Sequence, residues 1–393
     1  MKSSSHILPV IVVSQLLCTS LWFAGNAVVL DLIDSFNLPT DSLSSFITAV
    51  QLGFIAGTLI FAMGAVADRY SPSKVFFVCA IIGSLSNAAV IRFNESFDLI
   101  LAFRFLTGFF LAGIYPVGMK IAADHFDKDL SRSLGWLVGA LVMGTALPHL
   151  ISYLSVALSW RYVFIGTSLF ASIGGIMILT TVRDGSYHQP ARGLNIASFT
   201  KSFSKKSFRA SAVGYFGHMW ELYAFWTFVP LLISKLDLSK IGYELDSSLW
   251  SFIIIGIGGL ACIISGRVSL SYGSAIVASW SVLISGLCCI VVPLAIYFEQ
   301  NLSALITLII WGMSVVADSP LFSTLVAQKC DRNLKGTSLT VVNCIGFSIT
   351  IVSIQVLDYF WIETSNVLVF SLLALGPLVA LISMRHFNKR SIN

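Results

Sequence analysis

The chain has 393 residues, 56% of them hydrophobic and only 11% charged, with a formal net charge of +5. A water-soluble chain of ordinary composition carries roughly 25% charged residues, because polar groups must cover its surface. This balance excludes an ordinary soluble enzyme, a nucleic-acid binder and a disordered chain, and points to a protein whose solvent is largely lipid.

A helix needs about 20 mostly apolar residues to cross the hydrocarbon core of a bilayer. Twelve stretches meet that requirement: 7–33, 43–67, 75–93, 97–123, 133–157, 161–182, 209–234, 247–271, 275–298, 303–326, 337–360 and 365–385. They are numbered here as spans 1 to 12. None alternates with a two-residue period, and lipid satisfies no backbone group, so they read as helices. The turn Asn37–Asp41 joins spans 1 and 2, and Asn94–Ser96 joins spans 3 and 4. The segment 183–208 is polar and Ser-rich, with Gly185, Pro190 and Gly193. It predicts a bundle over 1–182, a central cytoplasmic loop over 183–208 and a second bundle over 209–393.

Orientation follows from the positive charges. With both termini inside, nineteen of the 24 Lys and Arg fall on the cytoplasmic side, including Lys201, Lys205, Lys206 and Arg209 of the central loop. Arg104 alone lies within a span. Span 1 is too long for the apolar part of a cleavable signal. The seven cysteines have no metal-site spacing and read as small core residues. No phosphate-cradling loop, nucleophile–base set or zinc motif is present, so no enzyme, cofactor or metal is expected.

The two halves echo each other. Gly64 and Tyr70 recur as Gly266 and Tyr272, at an offset of 202, and Gly108 and Pro116 recur as Gly312 and Pro320, at an offset of 204. Six-span halves related by duplication are what alternating-access carriers are built from. Two motifs sharpen this. The loop Gly64-x-x-x-Asp68-Arg69 and the run Arg104-x-x-x-Gly108-x7-Pro116 resemble signatures of the major facilitator superfamily. The first departs from that signature at Ser71 and Pro72, and its second-half copy has Leu270 in the acidic place. More loosely, the stretches Ser20–Asn26 and His218–Tyr223 resemble the branch containing cyanate- and nitrate-type permeases, although spans 2 and 8 lack the arginines of nitrate carriers.

The resemblance implies an all-α membrane fold of two pseudo-symmetric six-helix bundles. It implies that spans 1, 4, 7 and 10 line a cavity and that 3, 6, 9 and 12 face lipid. It places Gly64, Asp68 and Arg69 at a cytoplasmic gate, with Asp68 engaging the facing half.

Ionisable residues within a span cost about 2.5–3.5 kcal/mol each on insertion scales, which marks them as functional candidates. Glu221 lies in span 7, three residues after His218 on the same helical face. It is either a proton-coupling carboxyl or a fixed partner of a neighbouring helix or of Arg104. Two ligands are too few for a metal at this pair. Asp318 precedes Pro320 in span 10, where it either carries a proton or caps the helix that the proline restarts. Arg104 serves coupling, pairs with Glu221 or Asp318, or contacts an anionic solute directly. Trp22, Asn26, His149, His218, Trp220, Tyr223 and Asn343 complete the candidate solute-binding set, with helix packing as the alternative role for Trp22, Asn26, His149 and Asn343.

The expected function is secondary-active, proton-coupled transport of a small polar solute, anionic solutes included. The setting is the cell membrane (inner or plasma), and the carrier is a monomer partnered by lipid and not by nucleic acid. An exporter of amphipathic or siderophore-type compounds keeps the fold and changes the task. A non-transporting membrane sensor or receptor is the alternative from another class.

Overall fold

A computed structural model describes residues 7–36, 42–93, 96–125, 130–155, 159–183, 185, 202–239, 244–330 and 335–388. The turn Asn37–Asp41 and, of the central loop, residues 184 and 186–201 lie outside these residues. The described residues are predominantly helical, and ten helices are long and apolar enough to cross a membrane. Spans 1 and 7 complete the twelve. Span 7 forms one helix, Lys206–Ser234, whose hydropathy is diluted by His218, Trp220 and Glu221.

Spans 1, 4 and 10 are interrupted in mid-course. Span 1 runs as a helix over Ile7–Thr19, loosens, and resumes as a 3-10 turn at Asn26–Val28 followed by a helix over Val29–Phe36. This differs from the single stretch read from hydropathy. Span 4 divides into Phe97–Leu111 and Tyr115–His125, and span 10 into Asn301–Ala317 and Ser319–Lys329. The last two breaks each lie just before the proline of the repeat, which has no N–H for the preceding turn.

The chain divides into two compact units, Met1–Leu194 and Asn195–Asn393. Each repeats one helix contact. In the first unit, Gly108 of span 4 lies so close to the Val50 carbonyl of span 2 that a Cβ there would collide with it. In the second, Gly312 of span 10 meets the Ile254 carbonyl of span 8 in the same way. Glycine and its contact are both displaced by 204 residues, so the duplication read from spacing is also a duplication of packing. Small residues let membrane helices approach this closely.

Gly312→Val is therefore expected to cost about 2–3 kcal/mol, since the obstructing atom is backbone and cannot rotate away. Gly336→Ala is the control, because none of the described residues lies within 4 Å of a Cβ at Gly336. Thermal melting of the purified protein should show a clear loss for the first variant and none for the second.

Candidate functional site

In the first unit, the break in span 1 leaves backbone carbonyls without helical donors, and Arg104 supplies them. Its Nη2 donates to the carbonyls of Leu21 at 3.0 Å and Trp22 at 2.7 Å, and its Nη1 donates to Asn87 Oδ1 at 2.7 Å. The Asn87 amide in turn donates to the Phe164 carbonyl, Thr167 Oγ1 and Ser168 Oγ of span 6. Arg104 is fully buried. A cation beside the C-terminal end of the Ile7–Thr19 helix is favoured by that helix's dipole. The guanidinium joins spans 1, 3 and 4 of its own unit through uncharged acceptors.

Asp68, on the short helix Val66–Arg69, stands 2.7 Å from Lys120 of span 4, which lies 3.6 Å from Asp124. Lys120 is its partner within its own unit. Arg69 is exposed. Ala65, following Gly64, takes a left-handed conformation at φ 48° and sets the tight entry into this helix.

In the second unit, Glu221 is buried and draws three donors. Trp311 Nε1 of span 10 donates to Oε1 at 2.6 Å, Cys289 Sγ of span 9 to the same oxygen at 3.3 Å, and Ser285 Oγ of span 9 to Oε2 at 3.1 Å. His218 and Asp318 are also buried, with Nδ1 and Oδ1 2.9 Å apart. The contact is an ion-pair distance but out of line for a hydrogen bond, and His218 Nε2 has no partner among the described residues. Asp318 sits at the junction of the two span-10 helices, yet its side chain makes no capping hydrogen bond. The capping alternative is corrected on that ground.

Spans 7, 9 and 10 thus bring Glu221, His218 and Asp318 together with Trp311, Ser285 and Cys289. The other span-7 candidates point elsewhere. Trp220 Nε1 donates to the Leu372 carbonyl of span 12 at 3.1 Å. Tyr223 packs on Trp226 and on Phe347 of span 11, each at 5.1 Å between ring centres. Asn343 is half-buried on span 11.

Asn87, Trp311, Ser285 and Cys289 were not among the sequence candidates. Asn87 had a readable signal, as the one amide inside an otherwise apolar span 3. Ser285 and Cys289 are four apart and share a helical face, a weak signal in a membrane helix. Spans 3 and 9, expected to face lipid, do so on one side only. Leu283 and Leu287 are exposed on span 9, whereas Ser285 and Cys289 turn inward to Glu221.

Residues 10–354 match the family model of the Major Facilitator Superfamily. The chain belongs to that superfamily. It is 30% identical over 171 residues to the niacin transporter NiaP of Acinetobacter baylyi, a match covering 37% of this chain and 39% of that protein. It is 26% identical over 156 residues to the quinolone resistance protein NorB of Staphylococcus aureus, covering 39% and 33%. A third relative, the efflux pump radE of Floropilus chiversii, is 26% identical over 187 residues, covering 46% and 34%. The chain thus matches about a third to two fifths of the length of these curated relatives. Among solved structures, the human organic anion transporter MFSD10 (TETRAN) shares the fold with a TM-score of 0.76 at 14% identity, covering 98% of this chain and all of that one.

Proposed function

We propose that this chain is a secondary carrier that moves a small organic solute across the cell membrane by alternating access, driven by protons. Both termini lie on the cytoplasmic side in this reading, as the positive charges argue. The observation that carries it is the placement of Glu221 and the His218–Asp318 pair in the buried interior of one unit. Carboxylates are expensive within a membrane and are retained there for proton or solute traffic. His218 Nε2, without a partner among the described residues, leaves that pair a free position for a proton or a solute group.

A carrier must bind solute and proton with different affinities in its two states. Glu221 suits this role because its donors come from two other helices, so a shift between spans 7, 9 and 10 changes its hydrogen bonding. Asp68, Lys120 and Asp124 form the gate in this reading, fastening the Val66–Arg69 turn to span 4. The niacin-transporter relative supports a small heteroaromatic solute, and the quinolone-resistance and efflux relatives support export.

The test is flux in proteoliposomes with an imposed pH gradient, using niacin, a quinolone and an organic cation as solutes. The expected result is gradient-dependent movement of at least one aromatic solute, abolished by a protonophore. Binding without flux under any gradient would replace the carrier reading with that of a membrane sensor.

A further inference from the structure

The first unit holds a set of buried polar groups that no helix contact uses. Both amide atoms of Asn26 in span 1, both amide atoms of Gln51 in span 2, and Nε2 of His149 in span 5 have no hydrogen-bond partner among the described residues. Asn26 is 5% exposed, Gln51 0% and His149 1%. Leaving a buried polar group unpaired costs about 1–3 kcal/mol. Five such atoms on three helices are not explained by packing.

Register brings them to one level. Trp22 of span 1 meets Phe54 of span 2 with ring centres 4.8 Å apart. The two spans run in opposite directions, so Asn26, after Trp22, and Gln51, before Phe54, lie on the same side of that contact. The 3-10 turn beginning at Asn26 packs against both span 2 and span 5. Span 5 runs parallel to span 1, and its Gly144 abuts Thr19 and the Leu16 carbonyl. His149, five residues on and about 7.5 Å further along the helix, is level with the Trp22–Asn26 segment.

We infer that Asn26, Gln51 and His149 Nε2, beside the Trp22 ring, form an uncharged hydrogen-bonding subsite for a planar solute group carrying both a donor and an acceptor, as an aromatic carboxamide does. Each carboxamide side chain presents two donors and an acceptor oxygen. An anionic group offers acceptors only and leaves the Asn26 and Gln51 oxygens unpaired, and a cationic group leaves their amide nitrogens unpaired. Both Arg104 Nη atoms donate to Leu21, Trp22 and Asn87, which commits the guanidinium to bracing span 1, and its buried Nε has no hydrogen-bond partner among the described residues. The inference deepens the carrier reading and rests on it for the solute's movement, though not for its binding.

The test is thermal unfolding of the full-length purified protein, wild type beside Asn26→Leu and Gln51→Met, alone and with millimolar benzamide or benzoate. These two probes share a ring and differ in charge and in the donor. Because the variants remove unpaired polar atoms, each should melt at or above the wild-type temperature without ligand. Benzamide should raise the wild-type Tm by about 2–4 °C, benzoate should do so less, and both variants should lose the benzamide shift. A lower ligand-free Tm in both variants would mean that the amides hold the fold together, and would overturn the subsite. An equal or larger shift with benzoate, no shift with benzamide, or a benzamide shift that survives in both variants would also overturn it. Flux is not read in this experiment. A protein that behaves as stated yet moves no solute in proteoliposomes would refute the carrier and leave the subsite standing.

Discussion

Arg104→Ala should destabilise the first unit by about 3–5 kcal/mol, because two buried carbonyls and one buried amide oxygen lose charge-assisted donors together. The variant removes more than a contact: it removes what satisfies the Leu21 and Trp22 carbonyls where span 1 leaves its helix. Arg104→Lys keeps the charge but replaces a planar fork that reaches three acceptors with a compact ammonium, and should recover only part of the loss. Yield of monodisperse protein and its apparent Tm measure both. Combining Arg104→Ala with Glu221→Gln or Asp318→Asn separates the present account from an ion pair. Were a carboxylate the true partner, neutralising it would restore stability. No restoration is expected, and an alanine variant that melts with the wild type would refute the bracing role.

Glu221→Gln should abolish pH-driven flux while leaving the fold intact. The reason lies in which donors meet which oxygen. Trp311 and Cys289 both address Oε1, and an indole can only donate, so that position requires an acceptor. Ser285 addresses Oε2, and its hydroxyl can accept as well as donate. A glutamine can therefore place its carbonyl toward Trp311 and its amide toward Ser285, matching the native arrangement without a titratable group. Glu221→Ala leaves the Trp311 indole unpaired and should lose about 1–3 kcal/mol as well as flux. Melting curves and pH-jump uptake in proteoliposomes, measured on both variants, distinguish the two effects. Wild-type gradient-driven flux in Glu221→Gln would refute the coupling assignment.

Much of the architecture was legible in the residue pattern because bilayer thickness imposes one length on every crossing element. The repeat was legible for a related reason: helices that touch backbone to backbone tolerate only glycine, so Gly108 and Gly312 mark the same contact twice. The interruption of span 1 was not legible. Residues 19–25 carry no proline or charge to mark a break, and what stabilises their departure from a helix is a guanidinium more than eighty positions downstream. Reading Asp318 as a helix cap failed for a similar reason. Its local context favours capping, but a tertiary neighbour, His218, holds the carboxylate instead. Trp311 escaped notice because a tryptophan in an apolar run reads as packing until its N–H has a visible acceptor. Asn26 and His149 were singled out for their polarity alone. Gln15 and Gln51, equally polar and equally buried, show that the same criterion applied evenly would have found more.

The bracing of span 1 from span 4 also bears on how the chain is made. Leu21 and Trp22 leave the ribosome 83 and 82 residues ahead of the arginine that secures their carbonyls. During synthesis the first crossing segment must therefore wait, either as an unbroken helix or with its carbonyls served by water or lipid headgroups, until the fourth has been inserted beside it. Nascent chains arrested before residue 104 should accordingly present an amino-terminal segment that is more susceptible to quality-control proteases than the same segment in chains arrested after it.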